Sequence, residues 1–230
     1  MDTQLLKQYA RFAVRTGVNL QPGQTLLLRA PIEGAFFARM CAEAAYDEGA
    51  REVVVQYNDE KLARIKMQRT AVEVLEDVKP WHLRSMLDYV EGEGGAAVLT
   101  ILARDPEIYR GIDTEKISRA NNAQSLALRP WQQLVMADKI QWSIVAIPTE
   151  AWAMKVFAGE DGPAAVEKLW SAIFKVARVE GGDPVSAWGQ HLANLKAHRD
   201  WMNAMEFAAL RLKSANGTDL EVGLADGHLW

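Results

Sequence analysis

The sequence contains a single cysteine, Cys41, among 230 residues. One thiol excludes a disulfide framework and any zinc site built from paired cysteines. Cys41 itself sits in the apolar helical context Met40-Cys41-Ala42, where a buried, inert thiol is expected rather than a nucleophile. Histidine is scarce too: His82, His191, His198 and His228 are the whole set, and no His-Glu-x-x-His pattern occurs. His191 and His198 share a helix face but lie two turns apart, roughly 10 Å at about 1.5 Å rise per residue, too far to ligate one ion. There is no Gly-x-Ser-x-Gly elbow. No apolar run approaches the roughly 20 residues of a membrane span, and the opening MDTQLLKQYARF lacks a signal-peptide layout. An excess of positive charge is missing as well: 26 Lys and Arg stand against 30 Asp and Glu, a net charge of −4. That balance argues against a nucleic-acid partner, which favours a basic face. A soluble cytoplasmic protein, with no membrane and no nucleic-acid partner, is the expectation.

What is present is the material of a sizeable core. Hydrophobic residues make up 49% and charged residues 24%, ordinary for a globular protein. The length suits one large domain, or one domain plus part of another. The eight tryptophans are scattered, as for core or interface positions. No internal repeat or low-complexity tract interrupts the chain.

Periodicity supplies the order of elements. Residues 3–16 carry Leu5, Leu6, Tyr9, Phe12 and Ala13 on one stripe and predict a helix, with Gly17 as its stop. A short buried strand over 25–29 precedes a helix over 35–48, and a second strand follows at Val53-Val54-Val55. This is the βαβ unit of a parallel sheet. Residues 59–90 read as helical, broken by Pro80 and restarted at Trp81. Residues 96–101 form a nearly continuous apolar run, the pattern of a strand covered on both faces. Helices over 114–128 and 131–136 are split by Pro130, and a fourth strand spans 141–147. Further helices are predicted over 151–157 and 164–179. A long one opens at Asp183-Pro184, a capping Asp followed by Pro at the first helical position. Its stripe of Trp188, Leu192, Leu195 and Met202 is expected to face inward. The fold class is α/β: a three-layer α/β/α domain with a mostly parallel sheet over residues 1–207.

Residues 208–230 then change character. Leu210 and Leu212 alternate with Arg211 and Lys213, and Leu220, Val222 and Leu224 alternate with Glu221 and Gly223, around the Asn216-Gly217 turn pair. This is a β-hairpin with one face expected to be buried. A lone hairpin is marginal in water, and the sequence ends on Leu229-Trp230 where termini are usually polar. The hairpin is therefore expected to open a second, largely missing domain. A finishing ribbon docked on the preceding domain is the alternative.

Patterns that carry chemistry are few along this scaffold. The turn after the first strand, Ala30-Pro31-Ile32-Glu33-Gly34, has one glycine and an acid where a dinucleotide loop needs several glycines and no negative charge. The Gly92-Gly94-Gly95 loop precedes a strand and carries glutamates. Carboxylate pairs such as Glu43 with Asp47 and Asp59 with Glu60 read as solvated helix faces. One segment has a positional argument. Thr149 and Glu150 follow the fourth strand and open a helix, so they could line a crevice beyond the carboxyl ends of the strands. Their alternative reading is a capped helix start.

The run Val145-Ala146-Ile147-Pro148-Thr149-Glu150-Ala151-Trp152-Ala153, then Lys168-Leu169-Trp170 with Ile173-Phe174, Asp183-Pro184-Val185 with Trp188 and Leu192-Ala193-Asn194-Leu195, and Gly217-Thr218-Asp219-Leu220 before His228-Leu229-Trp230, resembles the thermophilic-type metalloaminopeptidases, the aminopeptidase T and aminopeptidase S family. Gly17-Val18-Asn19-Leu20 with Pro22-Gly23 is similar as well, so the likeness covers essentially the whole chain. The order and spacing of these segments carry it, with no single specific motif. The resemblance implies a cytoplasmic, dimeric, two-domain exopeptidase that removes N-terminal residues from peptide substrates with two divalent metal ions of the zinc, cobalt or magnesium class. By the family's order the Glu, His and Asp ligands would follow Trp230. No catalytic or metal residue is therefore assigned in this chain, and residues 208–230 are expected to begin a truncated catalytic domain. Alone, the chain is expected to be catalytically incomplete and to bind no metal. A stand-alone α/β module for small-ligand binding or dimerisation is the competing reading.

Overall fold

The first apolar stripe folds as α1 (Thr3–Phe12), capped by Asp2, whose carboxylate accepts the Gln4 N–H. The chain does not leave the helix at Gly17, as sequence reading expects. It widens into a π-helical turn, Ala13–Gly17, with the Val18 N–H donating to Ala13 O at 2.9 Å. This turn keeps both Val14 and Val18 buried. The left-handed residue that ends the run is Asn19, at φ 50°.

The computed structural model describes residues 2–230, which fall into two compact units, one ending at Pro184 and the other Val185–Trp230. In the first unit α1 is followed by β1 (Thr25–Pro31), α2 (Ala35–Asp47), β2 (Glu52–Asn58), α3 (Glu60–Arg69), α4 (Val72–Glu76) and α5 (Trp81–Val90). Then come β3 (Ala96–Leu102), α6 (Thr114–Ala127), α7 (Arg129–Met136), β4 (Gln141–Ala146), α8 (Glu150–Val156) and α9 (Gly162–Val176). The four strands form one sheet in the order β2-β1-β3-β4, every pair parallel. The α/β class expected from alternating strands and helices is thus what forms.

Each face of the sheet has its own helices. Leu27, paired with Val54 and Val98, presents its row to α5 and α7, where Met86 and Leu87 of α5, Trp131 of α7 and Ile140 just before β4 complete the core. Leu26, Leu28 and Ala30 point the opposite way, and all three are fully buried. On that side α2 packs on β1 and β2, and α1 packs on α2. Tyr9 of α1 stacks on Phe37 of α2 at 5.1 Å and meets Phe174 of α9 edge-on at 5.9 Å. Several helix boundaries differ from the sequence reading: α7 begins at Arg129, with Pro130 inside its first turn rather than ahead of it. α9 starts two residues earlier than expected because Asp161 caps it through the Ala164 N–H at 2.8 Å, and Pro163 fits its first turn. α8 starts at Glu150, capped by Thr149.

In the second unit, α10 (Pro184–Met205) leads into the antiparallel hairpin of β5 (Ala209–Lys213) and β6 (Asp219–Gly223). The register sets Leu210 against Val222 and Leu212 against Leu220. The connection is the five-residue stretch 214–218, closed by the Ser214 N–H on Thr218 O at 3.1 Å, with Gly217 at φ 96°. Two expectations are corrected here. Leu192 and Leu195 of the α10 stripe are 52% and 51% exposed, and the apolar row of the hairpin is open, with Leu212 50% exposed. A two-stranded ribbon and one helix supply too little surface to cover either stripe.

Candidate functional site

In an open parallel sheet, ligands favour the carboxyl ends of the strands where the strand order reverses. Here the reversal falls between β1 and β3. Three connections meet at that edge: Ile32–Gly34 after β1, residues 103–113 after β3, and residues 147–149 after β4. Glycine at position 34 permits a close approach, since a Cβ there would stand 2.9 Å from Ile147 Cδ1. The space on the α2 side of the edge is therefore filled by Ile147, which is itself buried. This is the packing reason why no phosphate cradle opens after β1.

The β3 connection is tied down by polar contacts. Glu60, at the start of α3, accepts the Asp105 N–H at 3.0 Å. Arg64 donates to Ile108 O, and to Arg110 O at 2.9 Å. Glu107 is held below the usual carboxylate range by the hydrogen bond and charge of Lys155, with Arg110 adding to both. Thr149 spans two connections: its hydroxyl donates to Arg104 O at 2.9 Å and accepts the Trp152 N–H at 3.1 Å. Glu150 is exposed and lies over the start of α9, where a Cβ on Gly162 would fall 2.3 Å from its Oε1. The two adjacent side chains thus serve different neighbours, Thr149 the loop after β3 and Glu150 the first turn of α9.

The other candidate groups are dispersed. His82 lies edge-on to Trp81 at 5.1 Å, and His191 to Trp188 at 5.2 Å. His198 Nδ1 donates to Asn194 O at 2.7 Å and His228 Nδ1 to Ala225 O at 2.9 Å. Cys41 is fully buried, and burial pushes its thiol pKa well up. Among the described residues no group of three or more His, Cys, Asp or Glu could hold a metal ion. A groove of about 240 Å³ lies against α1 and α2, lined by Lys7, Arg11, Met40, Glu43, Ala44, Asp47 and Glu48. It is smaller than the roughly 300–1,000 Å³ of ordinary small-molecule sites, and its mixed charges favour neither sign of ligand.

The chain is 38% identical over 225 residues to Aminopeptidase 2 of Geobacillus stearothermophilus, covering 98% of this chain and 54% of that protein. It is likewise 38% identical over 225 residues to Aminopeptidase T of Thermus thermophilus, with 98% and 54% coverage. A solved structure, wild-type AmpT from Thermus thermophilus, superposes with a TM-score of 0.89 at 37% identity, over 99% of this chain and 55% of that one. The chain thus spans about half the length of the curated relatives it matches. The model of the thermophilic metalloprotease (M29) family matches residues 2–230. As the resemblance of its segments implied, this chain belongs to the thermophilic metalloprotease (M29) family.

Proposed function

We propose that this chain supplies the amino-terminal α/β portion of a metal-dependent aminopeptidase, an enzyme that removes N-terminal residues from peptides. The observation that carries this reading is the alignment of 98% of the chain with 54% of proteins named as aminopeptidases. The family implies metal, but the described residues present no ligand group that fits it, so no catalytic step is assigned to this chain. Two divalent ions and their ligands belong, on this reading, to a segment outside residues 2–230. The boundary with that catalytic part is proposed at residue 208, where the pairing changes from parallel to antiparallel. The open apolar row of Leu212, Leu220 and Val222 supports it, because such a row is suited to further strands. Thr149 and Glu150 are proposed to line the substrate cleft, and the whole protein to be a cytoplasmic homodimer.

The test is hydrolysis of an aminoacyl chromogenic amide by the protein purified from its native host, with chelation and metal re-addition. Turnover that chelator removes and a divalent ion restores supports the assignment. A native protein with no such exopeptidase activity contradicts it.

A further inference from the structure

The central strand of the sheet carries a cation that the aminopeptidase reading does not use. Arg29 lies on β1, two residues beyond Leu27 and so on the face covered by α5 and α7. Register places Gln56 of β2 directly on one side of it and Thr100 of β3 on the other. With strands about 4.8 Å apart, the three side chains form a polar row roughly 10 Å wide, next to the apolar row of Val54, Leu27 and Val98. The row beneath, Val54, Leu27 and Val98, is sealed by the helices, whereas Arg29, Gln56 and Thr100 are each only partly buried.

Arg29 makes no hydrogen bond or ion pair with any described residue, and desolvation alone lowers its pKa. Its nitrogens nevertheless keep contact with solvent, since no buried side-chain nitrogen or oxygen lacks a partner among the described residues. The guanidinium is therefore within reach of water. Gln56 leans towards α5 through its Nε2 on Ser85 O, a long contact of 3.4 Å, which leaves its amide free to reorient. A desolvated cation without a counter-charge is costly to keep in a sheet, and a neutral side chain would fill the position without that cost.

We propose that Arg29, flanked by Gln56 and Thr100, is a binding site for a singly charged carboxylate. The guanidinium fork matches two carboxylate oxygens side by side, and the flanking amide and hydroxyl each have a proton to donate. One positive charge with two neutral donors balances a monoanion, whereas a phosphate dianion would keep an unmatched charge. The site stands whether or not the chain takes part in peptide hydrolysis.

The experiment is a titration of the ¹⁵N-labelled protein at constant ionic strength, following the Arg29 Nε–H and the Gln56 side-chain amide by NMR. The probes are N-acetylglycine, its uncharged amide, and inorganic phosphate. The expected result is a saturable shift of both signals with N-acetylglycine and none with the amide. Arg29→Lys, which keeps the charge and loses the fork, weakens binding by about tenfold; Arg29→Met abolishes it. Thr100→Val, nearly isosteric, weakens it severalfold and decides the matter should the Arg29 variants fail to fold. Absence of a saturable shift, an equal response to the amide, or tighter binding of phosphate overturns the proposal.

Discussion

Removing one oxygen atom, in Tyr9→Phe, should loosen the edge of the sheet. β4 is an edge strand, and its Ile147 N–H side is satisfied by Leu102 O of the neighbouring strand at 2.8 Å. The Ala146 N–H and C=O face the other way, and the Tyr9 hydroxyl takes both, donating to the carbonyl at 3.0 Å and accepting from the N–H at 3.2 Å. Phenylalanine keeps the ring contacts with Phe37 and Phe174 but leaves both backbone groups unpaired in a part-buried site. Stranding such groups costs roughly 1–3 kcal/mol, so about 2 kcal/mol is expected, a fall in Tm of about 4–8 °C for a chain of this size. The same bond predicts a pH signature. Burial raises the Tyr9 pKa from 10.0 to about 12, with the Ala146 hydrogen bond pulling the other way. A group whose folded pKa is raised contributes fully below its unfolded value and loses that contribution as pH rises through the folded one. The wild-type chain should therefore lose about 3 kcal/mol between pH 10 and 12 that Tyr9→Phe does not lose. Urea unfolding of both proteins from pH 7 to 12 reads the two effects together. A variant within about 0.5 kcal/mol of wild type at pH 7, or a gap that stays constant to pH 12, refutes the reasoning.

Two further outcomes follow from packing. Gly94 sits at φ 81°, and a Cβ there would fall 2.4 Å from Gly23 O; Gly94→Ala should cost about 2 kcal/mol or more in urea unfolding, and a neutral result would place that loop elsewhere. Cys41 is fully buried with its thiol pKa pushed up, so an aromatic disulfide reagent should label it only after denaturant is added; prompt labelling in buffer would contradict the burial.

The sheet was legible because its strands announce themselves twice, as apolar runs and as partners of intervening helices. Residues 96–101 read as doubly covered, and Ala97 and Leu99 are indeed fully buried while Val98 joins the opposite core. The helix expected at Asp183-Pro184 does begin at Pro184. The cap at Asp161 escaped because Gly162-Pro163 looks like a loop, although Pro is at home in a first helical turn. The stop at Gly17 failed because the burial of Val14 and Val18 outweighs a glycine's preference to end a helix. Long-range contacts were not readable at all: Tyr9 and Ala146 are 137 residues apart. The same holds for the row of Gln56, Arg29 and Thr100, three ordinary polar residues in the sequence that become neighbours only through strand register. Thr149 was legible as a helix cap, but its second bond, to Arg104 O, depends on how two connections meet. The exposed stripes of α10 and the hairpin show the limit of periodicity, which predicts an apolar face but not the surface that covers it.

The most direct measurement is aminopeptidase turnover by the purified 230-residue chain itself, stripped with chelator and then assayed with zinc, cobalt and magnesium in turn. The account predicts no metal-dependent release of N-terminal residues, because the described residues hold no ligand group for the ions. Turnover that rises with an added divalent ion and falls with chelator would contradict it, and would place the catalytic ligands within residues 1–230.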